Sequence, residues 1–272
     1  MSTDSPTPGN KPSPKERLQE LPISRVLPNI MTLVALCTGL SAIRFALLDR
    51  YEMAVIAILI AAILDAMDGR LARLLGTSSR FGAELDSLSD MINFGVAPSV
   101  LLYISSLQQW NGFGWALVLF YVICAGLRLA RFNTALDIPQ PDWTQGFFTG
   151  VPIPAGAFLA LMGLMLQNAT EVFLVQWPIV HGCLLIFAGL LLVSRLPTYS
   201  LKGSRIPQHL LLPLMLLVGL TITALINAFW YTLFVIGLGY VCTFPFSYRA
   251  YQRLKDRTHR SSGDTIGNSN CR

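Results

Sequence analysis

Long apolar runs separated by short polar breaks dominate this chain. Blocks long enough to cross roughly 30 Å of hydrocarbon run over 28–48, 53–74, 91–107, 112–132, 152–168, 174–194, 208–226 and 229–248. Only helices satisfy every backbone group inside such lipid-facing segments, so the pattern predicts an all-α polytopic membrane bundle of about eight transmembrane helices. Gly95 and Pro98 interrupt the third block early, which a membrane helix tolerates when neighbours satisfy the freed backbone groups. Pro152 and Pro154 mark the start of the fifth. Residues 1–27 are polar, rich in Pro and Ser, and lack the apolar core and cleavage site of a signal peptide; they read as a flexible tail ahead of a membrane domain over 28–248 and a basic tail over 249–272.

Charge fixes the expected orientation. Eighteen of the twenty Lys and Arg residues fall on one side of an eight-helix arrangement: in the two tails and in the 2–3, 4–5 and 6–7 connections. Arg50 lies in the 1–2 connection, and Arg44 sits near the far end of the first helix, where it can snorkel outward. The basic side is therefore cytoplasmic, with both termini there. The composition agrees: 53% hydrophobic, 13% charged, and a mean hydropathy of +0.54. These values exclude a disordered chain or a coiled coil. The net charge of +5 fits basic tails resting on anionic headgroups better than nucleic-acid binding. The five cysteines include no C-x-x-C, so neither a disulfide framework nor a zinc site is indicated.

The acidic residues are the informative ones. Of fifteen Asp and Glu, five (Asp65, Asp68, Glu84, Asp86 and Asp90) crowd into 26 residues around the end of the second block and the start of the third. An Asp at the bilayer centre costs roughly 2.5–3.5 kcal/mol on insertion scales, so acids at depth mark function. Counting from Met53 at 1.5 Å per residue puts Asp65 roughly 18 Å along the second helix, in a cavity expected to open to the cytoplasm. Asp65 and Asp68 are spaced i, i+3, and Asp86 and Asp90 i, i+4, so each pair shares one helix face and two facing pairs converge four carboxylates. Glu84 points away and is assigned to the cytoplasmic loop. Four carboxylates repel unless cations bind; with no His or Cys nearby, oxygen-only ligands suit two divalent cations, Mg²⁺ or Mn²⁺. Gly69 and Gly82 clear side chains so that a phosphate-bearing ligand can approach the backbone, and Arg73, one turn beyond Gly69, offers a fork-shaped donor to phosphate oxygens. The competing reading pairs the acids with Arg70, Arg73 and Arg80 as a solvated helix-end network.

Asp65-x-x-Asp68-Gly69-x-x-Ala72-Arg73, followed after eight residues by Gly82-x-x-x-Asp86-x-x-x-Asp90, reproduces the signature of the CDP-alcohol phosphotransferase family, which the chain closely resembles. Four softer strings resemble its phosphatidylserine synthase branch: Ser89–Pro98, Arg128–Asn133, Gly150–Ala155 and Val193–Pro197. The likeness covers about residues 25 to 250. It implies a core of six membrane helices and transfer of a phosphatidyl group from CDP-diacylglycerol to an acceptor hydroxyl, releasing CMP. It further implies that Asp65, Asp68 and Asp86 hold the metals, that Asp90 ligates the second metal and acts as general base, and that Gly69, Ala72, Arg73 and Gly82 contact the CDP-lipid. Asn29, Thr32 and Ser79 match positions where relatives bind the nucleotide. A homodimer is implied as well.

Within that resemblance the expected acceptor is L-serine, giving phosphatidylserine. Its carboxylate calls for a cation, for which Arg128 and Arg131 are candidates with Asn133 as a polar neighbour; Lys202 and Arg205 are weaker ones. His181 is placed near mid-membrane in the sixth block and no histidine accompanies the acids, so direct displacement is expected over a covalent intermediate. Two alternatives stand: the same family with choline, inositol phosphate or glycerol phosphate as acceptor, or an ion-coupled transporter using the acids as its cation site. The acids have no counterpart later in the chain, and that asymmetry argues against transport. Short loops favour a bacterial inner membrane.

Overall fold

The computed structural model describes residues 23–76, 79–136, 147–170, 177–194, 197–199 and 211–243. The expected tails over 1–27 and 249–272 lie outside these residues except for 23–27, as do Lys202 and Arg205.

The bundle opens with a helical hairpin. Helix α1 (Ile23–Leu47) begins five residues before the expected block and carries Pro28 inside it; α2 spans Tyr51–Leu74. Asp49 makes the tight connection with φ 58°, and its carboxylate accepts the Tyr51 hydroxyl at 2.8 Å. Short polar side chains tolerate this left-handed conformation.

The third element departs most from the sequence pattern. Helix α3 runs over Arg80–Asp90, passes into a π-helical segment at Met91–Val96, and continues as α4 over Ala97–Ser105. The expected start at residue 91 is therefore eleven residues late: mean hydropathy could not find α3, whose polar face carries the acids. Glu84, expected in a loop, is an exposed residue of α3. Ser79 caps α3 by accepting the Gly82 N–H at 3.0 Å.

After a 3₁₀ turn at Leu107–Trp110 come α5 (Asn111–Leu136), α6 (Ile153–Ala169), α7 (Pro178–Val193), α8 (Leu211–Asn227) and α9 (Phe229–Thr243). Pro152 and Pro178 stand at the entries to α6 and α7, where a missing N–H costs nothing. One short antiparallel ribbon, β1 (Phe147–Thr149) with β2 (Pro197–Tyr199), pairs Phe148 with Thr198; it ties the α5–α6 and α7–α8 connections at one end of the bundle. His181 lies in the first turn of α7, at the opposite end from that ribbon and not half-way along the span.

The core is built where small residues let helices approach. Leu159, Leu161, Leu164 and Met165 of α6 meet Leu185, Ala188 and Leu192 of α7, all buried. The outside is apolar too: Ile63 is 60%, Ile123 59% and Leu216 67% exposed. An apolar exterior around an apolar core is what lipid, not water, as the surrounding solvent requires. Among the described residues, three helical stretches (Val26–Leu47, Arg80–Ser105 and Leu107–Thr134) are long and apolar enough to cross a membrane, and α6 to α9 are shorter apolar helices. The chain is an integral membrane protein, all-helical among the described residues apart from the short ribbon.

Candidate active site

Helices α2 and α3 face each other at the ribbon end of the bundle, and their acids meet. Carboxylate oxygens of Asp65, Asp68 and Asp86 all lie within 4.8 Å of one another. Asp90, one turn beyond Asp86, meets Asp65 side chain to side chain. Its Oδ1 is buried with no hydrogen-bond partner among the described residues, and Asp68 is 3% exposed. Buried like charges at this spacing are unfavourable unless a cation neutralises them. The donor set is all carboxylate oxygen, without His or Cys, which fits a hard divalent cation.

Helix α1 completes the cluster from its third side. The Thr32 hydroxyl donates to Asp68 Oδ2 at 2.7 Å and lies 3.1 Å from the Pro28 carbonyl of its own helix. Thr32, expected at the nucleotide, lines the pocket described below while its hydroxyl engages the Asp68 carboxylate. A chain of buried polar groups runs on behind it: Ser89 Oγ lies 3.4 Å from the Thr32 carbonyl, and Asn93 Nδ2 donates to Ser89 Oγ at 3.1 Å. Gly39 lets Asn93 approach, since a Cβ there would overlap the Asn93 amide.

Beside the acids lies a pocket of about 180 Å³ lined by residues of α1, α2 and α3, among them Asn29, Thr32, Gly69, Ala72, Ser79 and Gly82, together with Asp68 and Asp86. Six positions singled out in the sequence for the CDP-lipid thus share one cavity. The two glycines play different parts. A Cβ at Gly69 would meet nothing within 4 Å, so its backbone faces open space; a Cβ at Gly82 would lie 2.8 Å from Asn29 Oδ1, so the room it leaves is taken by the Asn29 amide and not left for ligand. Arg73 is exposed and folded back along α2, with Nε donating to the Gly69 carbonyl at 3.0 Å. A larger groove of about 510 Å³ between α1 and α2 is lined by residues such as Ile30, Val34 and Met53 and carries no ionisable group except Cys37.

The candidate acceptor residues sit on the last turns of α5. Arg128 is 9% exposed; its Nε donates to the Val151 carbonyl at 2.8 Å, its guanidinium stacks 5.2 Å from the Phe132 ring centroid, and it is within electrostatic reach of Asp90 and Tyr240. Arg131 Nη1 donates to the Val193 carbonyl at the end of α7 at 2.8 Å. Asn133 Nδ2 donates to Ser87 Oγ at 3.1 Å, joining α5 to the residue after Asp86. Ser87 has no signal in the sequence, and Ser89 and Asn93 stand there only within the Ser89–Pro98 string, with no role attached to either. Polar side chains at helical spacing inside an apolar span were the available signal for Ser89 and Asn93.

Residues 25–193 match the family model described as CDP-alcohol phosphatidyltransferase. The chain belongs to that family. Three relatives match it over about three quarters or more of their own length. A Mycobacterium leprae protein named CDP-diacylglycerol--serine O-phosphatidyltransferase is 40% identical over 227 residues, covering 82% of this chain and 74% of the relative. A Mycobacterium bovis protein of the same name is 40% identical over 238 residues, covering 85% and 80%. One from Methanocaldococcus jannaschii, also of that name, is 37% identical over 182 residues, covering 65% and 76%. In this family member the acids lie at the meeting point of α1, α2 and α3, with Arg128 of α5 within electrostatic reach of Asp90.

Proposed function

We propose that this protein transfers the phosphatidyl group of CDP-diacylglycerol to the hydroxyl of L-serine, giving phosphatidylserine and CMP. The observation that carries the reading is the convergence of Asp65, Asp68, Asp86 and Asp90 beside a pocket lined by Asn29, Gly69 and Ala72. Family membership and the names of its relatives supply the substrate class.

The four aspartates would hold two divalent cations, Mg²⁺ or Mn²⁺, which when bound neutralise the diphosphate. Gly69 admits the diphosphate close to the α2 backbone, and Arg73 swings from its own helix to meet it. Asn29 and Ser79 bind the nucleotide, while Thr32 fixes the carboxylate of Asp68. Asp90 Oδ1, free of donors among the described residues, takes the proton as the serine oxygen forms its bond to the phosphorus bearing diacylglycerol. The phosphorus–oxygen bond to CMP breaks in the same displacement, and CMP leaves. A carboxylate is a weak base for an alcohol, so positioning and charge stabilisation supply most of the rate. Arg128 and Arg131 pair with the serine carboxylate, and Asn133 holds α5 to α3 beside them.

The reading includes about eight transmembrane helices, with α1, α2, the α3–α4 unit and α5 to α9 as the crossings. It also includes both termini and the site on the cytoplasmic side of a bacterial inner membrane, and a homodimer. The side is supported by the Lys and Arg distribution, the dimer by family resemblance.

The test is CMP release by the purified protein in detergent with CDP-diacylglycerol and Mg²⁺ or Mn²⁺, across serine, choline, inositol phosphate and glycerol phosphate. Release with serine, lost in Asp90→Asn, is expected. Release with another acceptor alone would discard the substrate, and release with none would overturn the reaction.

A further inference from the structure

Asp90 is the last residue before the π-helical segment Met91–Val96, and that segment has a physical cause and a brace. Pro98 has no N–H to offer the carbonyl of Phe94 one turn back, and in a regular α-helix its ring would press against that carbonyl. Widening the helix to the π form relieves the contact. The displaced Phe94 carbonyl is then met from another helix: the hydroxyl of Tyr121 on α5, whose side chain is fully buried, donates to it at 3.1 Å. Two more side chains, Asn93 of the segment and Ser99 of α4, brace it. Ser99 Oγ lies 2.8 Å from the Gly95 carbonyl and 2.9 Å from that of Val96, and Asn93 Nδ2 reaches back to Ser89 at 3.1 Å. Close packing brings α5 near enough for Tyr121 to reach, since a Cβ at Gly95 would lie 3.3 Å from the Ala125 Cβ.

The widened turn has a geometric consequence for the site. Each residue of an α-helix advances the side chain by about 100°, so accommodating one extra residue in the turn rotates everything before it by about that angle relative to everything after it. Helix α4 is fixed by burial of Ala97, Leu101 and Leu102. The direction in which Asp86 and Asp90 point is therefore set by the π segment.

We propose that Tyr121 is a positioning residue of the metal site: by holding the Phe94 carbonyl that Pro98 leaves without a donor, it keeps the π segment wound and Asp86 and Asp90 aimed at Asp65 and Asp68. Tyr121 itself touches neither the carboxylates nor the substrate pocket. The inference rests on the reading of those carboxylates as a divalent-cation site.

The test measures Mn²⁺ binding to the purified full-length protein by electron paramagnetic resonance, beside thermal unfolding. Tyr121→Phe keeps the ring and removes the hydroxyl. It is expected to remain folded and to bind Mn²⁺ more weakly by on the order of tenfold or more, the loss that misdirected ligands produce. Pro98→Ala returns an N–H and lets the helix close in the α register, so it is expected to unfold at an equal or higher temperature while also binding Mn²⁺ more weakly. A purely structural role cannot separate those two readouts in that direction. Wild-type Mn²⁺ affinity in folded Tyr121→Phe, or in Pro98→Ala where Tyr121→Phe does not fold, would overturn the inference. Asp86→Asn serves as the control: Mn²⁺ binding unchanged by it would remove the metal site itself and this inference with it.

Discussion

The hydroxyl of Thr32 donates to Asp68 Oδ2 at 2.7 Å, joining α1 to α2 between residues 36 apart in sequence. Both side chains are buried, Thr32 at 5% and Asp68 at 3% exposure. The bond aims one oxygen of a carboxylate that the proposed function gives to the divalent-cation site. A partner that orients a ligating carboxylate typically carries 10- to 100-fold in metal affinity. Thr32→Val, which removes the hydroxyl at nearly constant volume, is expected to weaken Mn²⁺ binding by about that factor, measured by calorimetry on the detergent-solubilised protein. Thr32→Ser keeps the donor and should bind as wild type; equal losses in both variants would assign the effect to packing.

Gly69 separates stability from function. It sits inside a helix, where Ala is favoured over Gly by roughly 0.5–1 kcal/mol, and beyond its own helix the space its Cβ would enter holds no atom of the described residues within 4 Å. Gly69→Ala is therefore expected to unfold at the same or a higher temperature and yet to raise the KM for CDP-diacylglycerol, with the KM for serine nearly unchanged. An unaltered donor KM would show that the diphosphate does not approach the backbone here.

Asp90 is assigned the proton. General-base contributions are about 10²- to 10⁴-fold, so Asp90→Asn should lower kcat by at least the smaller factor. A single displacement also predicts inversion at phosphorus. A chiral-phosphate donor giving net retention would replace it with a two-step path through a covalent intermediate.

Arg131 tests the acceptor side. Its guanidinium has donors beyond the one used on the Val193 carbonyl. Hydrogen bonds to charged groups contribute about 1.5–3 kcal/mol, so Arg131→Ala should raise the serine KM by about tenfold or more while the CDP-diacylglycerol KM moves little. Equal rises in both constants would assign Arg131 to holding α5 against α7.

Much of this was legible because helix periodicity is local. The spacing of Asp65 with Asp68 and of Asp86 with Asp90 puts each pair on one face whatever else the chain does. Length and hydropathy of the apolar runs determine that the chain lies in a membrane, and the placement of Lys and Arg sets the expected orientation. Gly69, Ala72 and Gly82 of the motif, with Asn29, Thr32 and Ser79 from the family resemblance, line one pocket in the fold.

What the tertiary structure alone decided are the relations that depend on how closely and at what rotation helices meet. Thr32 turned to Asp68, Asn133 to Ser87 across 46 residues, and Arg131 to Val193 across 62. Gly82 proved to be filled by Asn29, Glu84 to be helical, and the third span to begin at Arg80 with a π segment in its middle. Hydropathy reports how greasy a segment is and a motif reports its spacing. Neither reports the phase of one helix against the next, which is settled when Pro98, Tyr121 and Gly39 determine which carbonyl is displaced, which hydroxyl meets it and how near two backbones come.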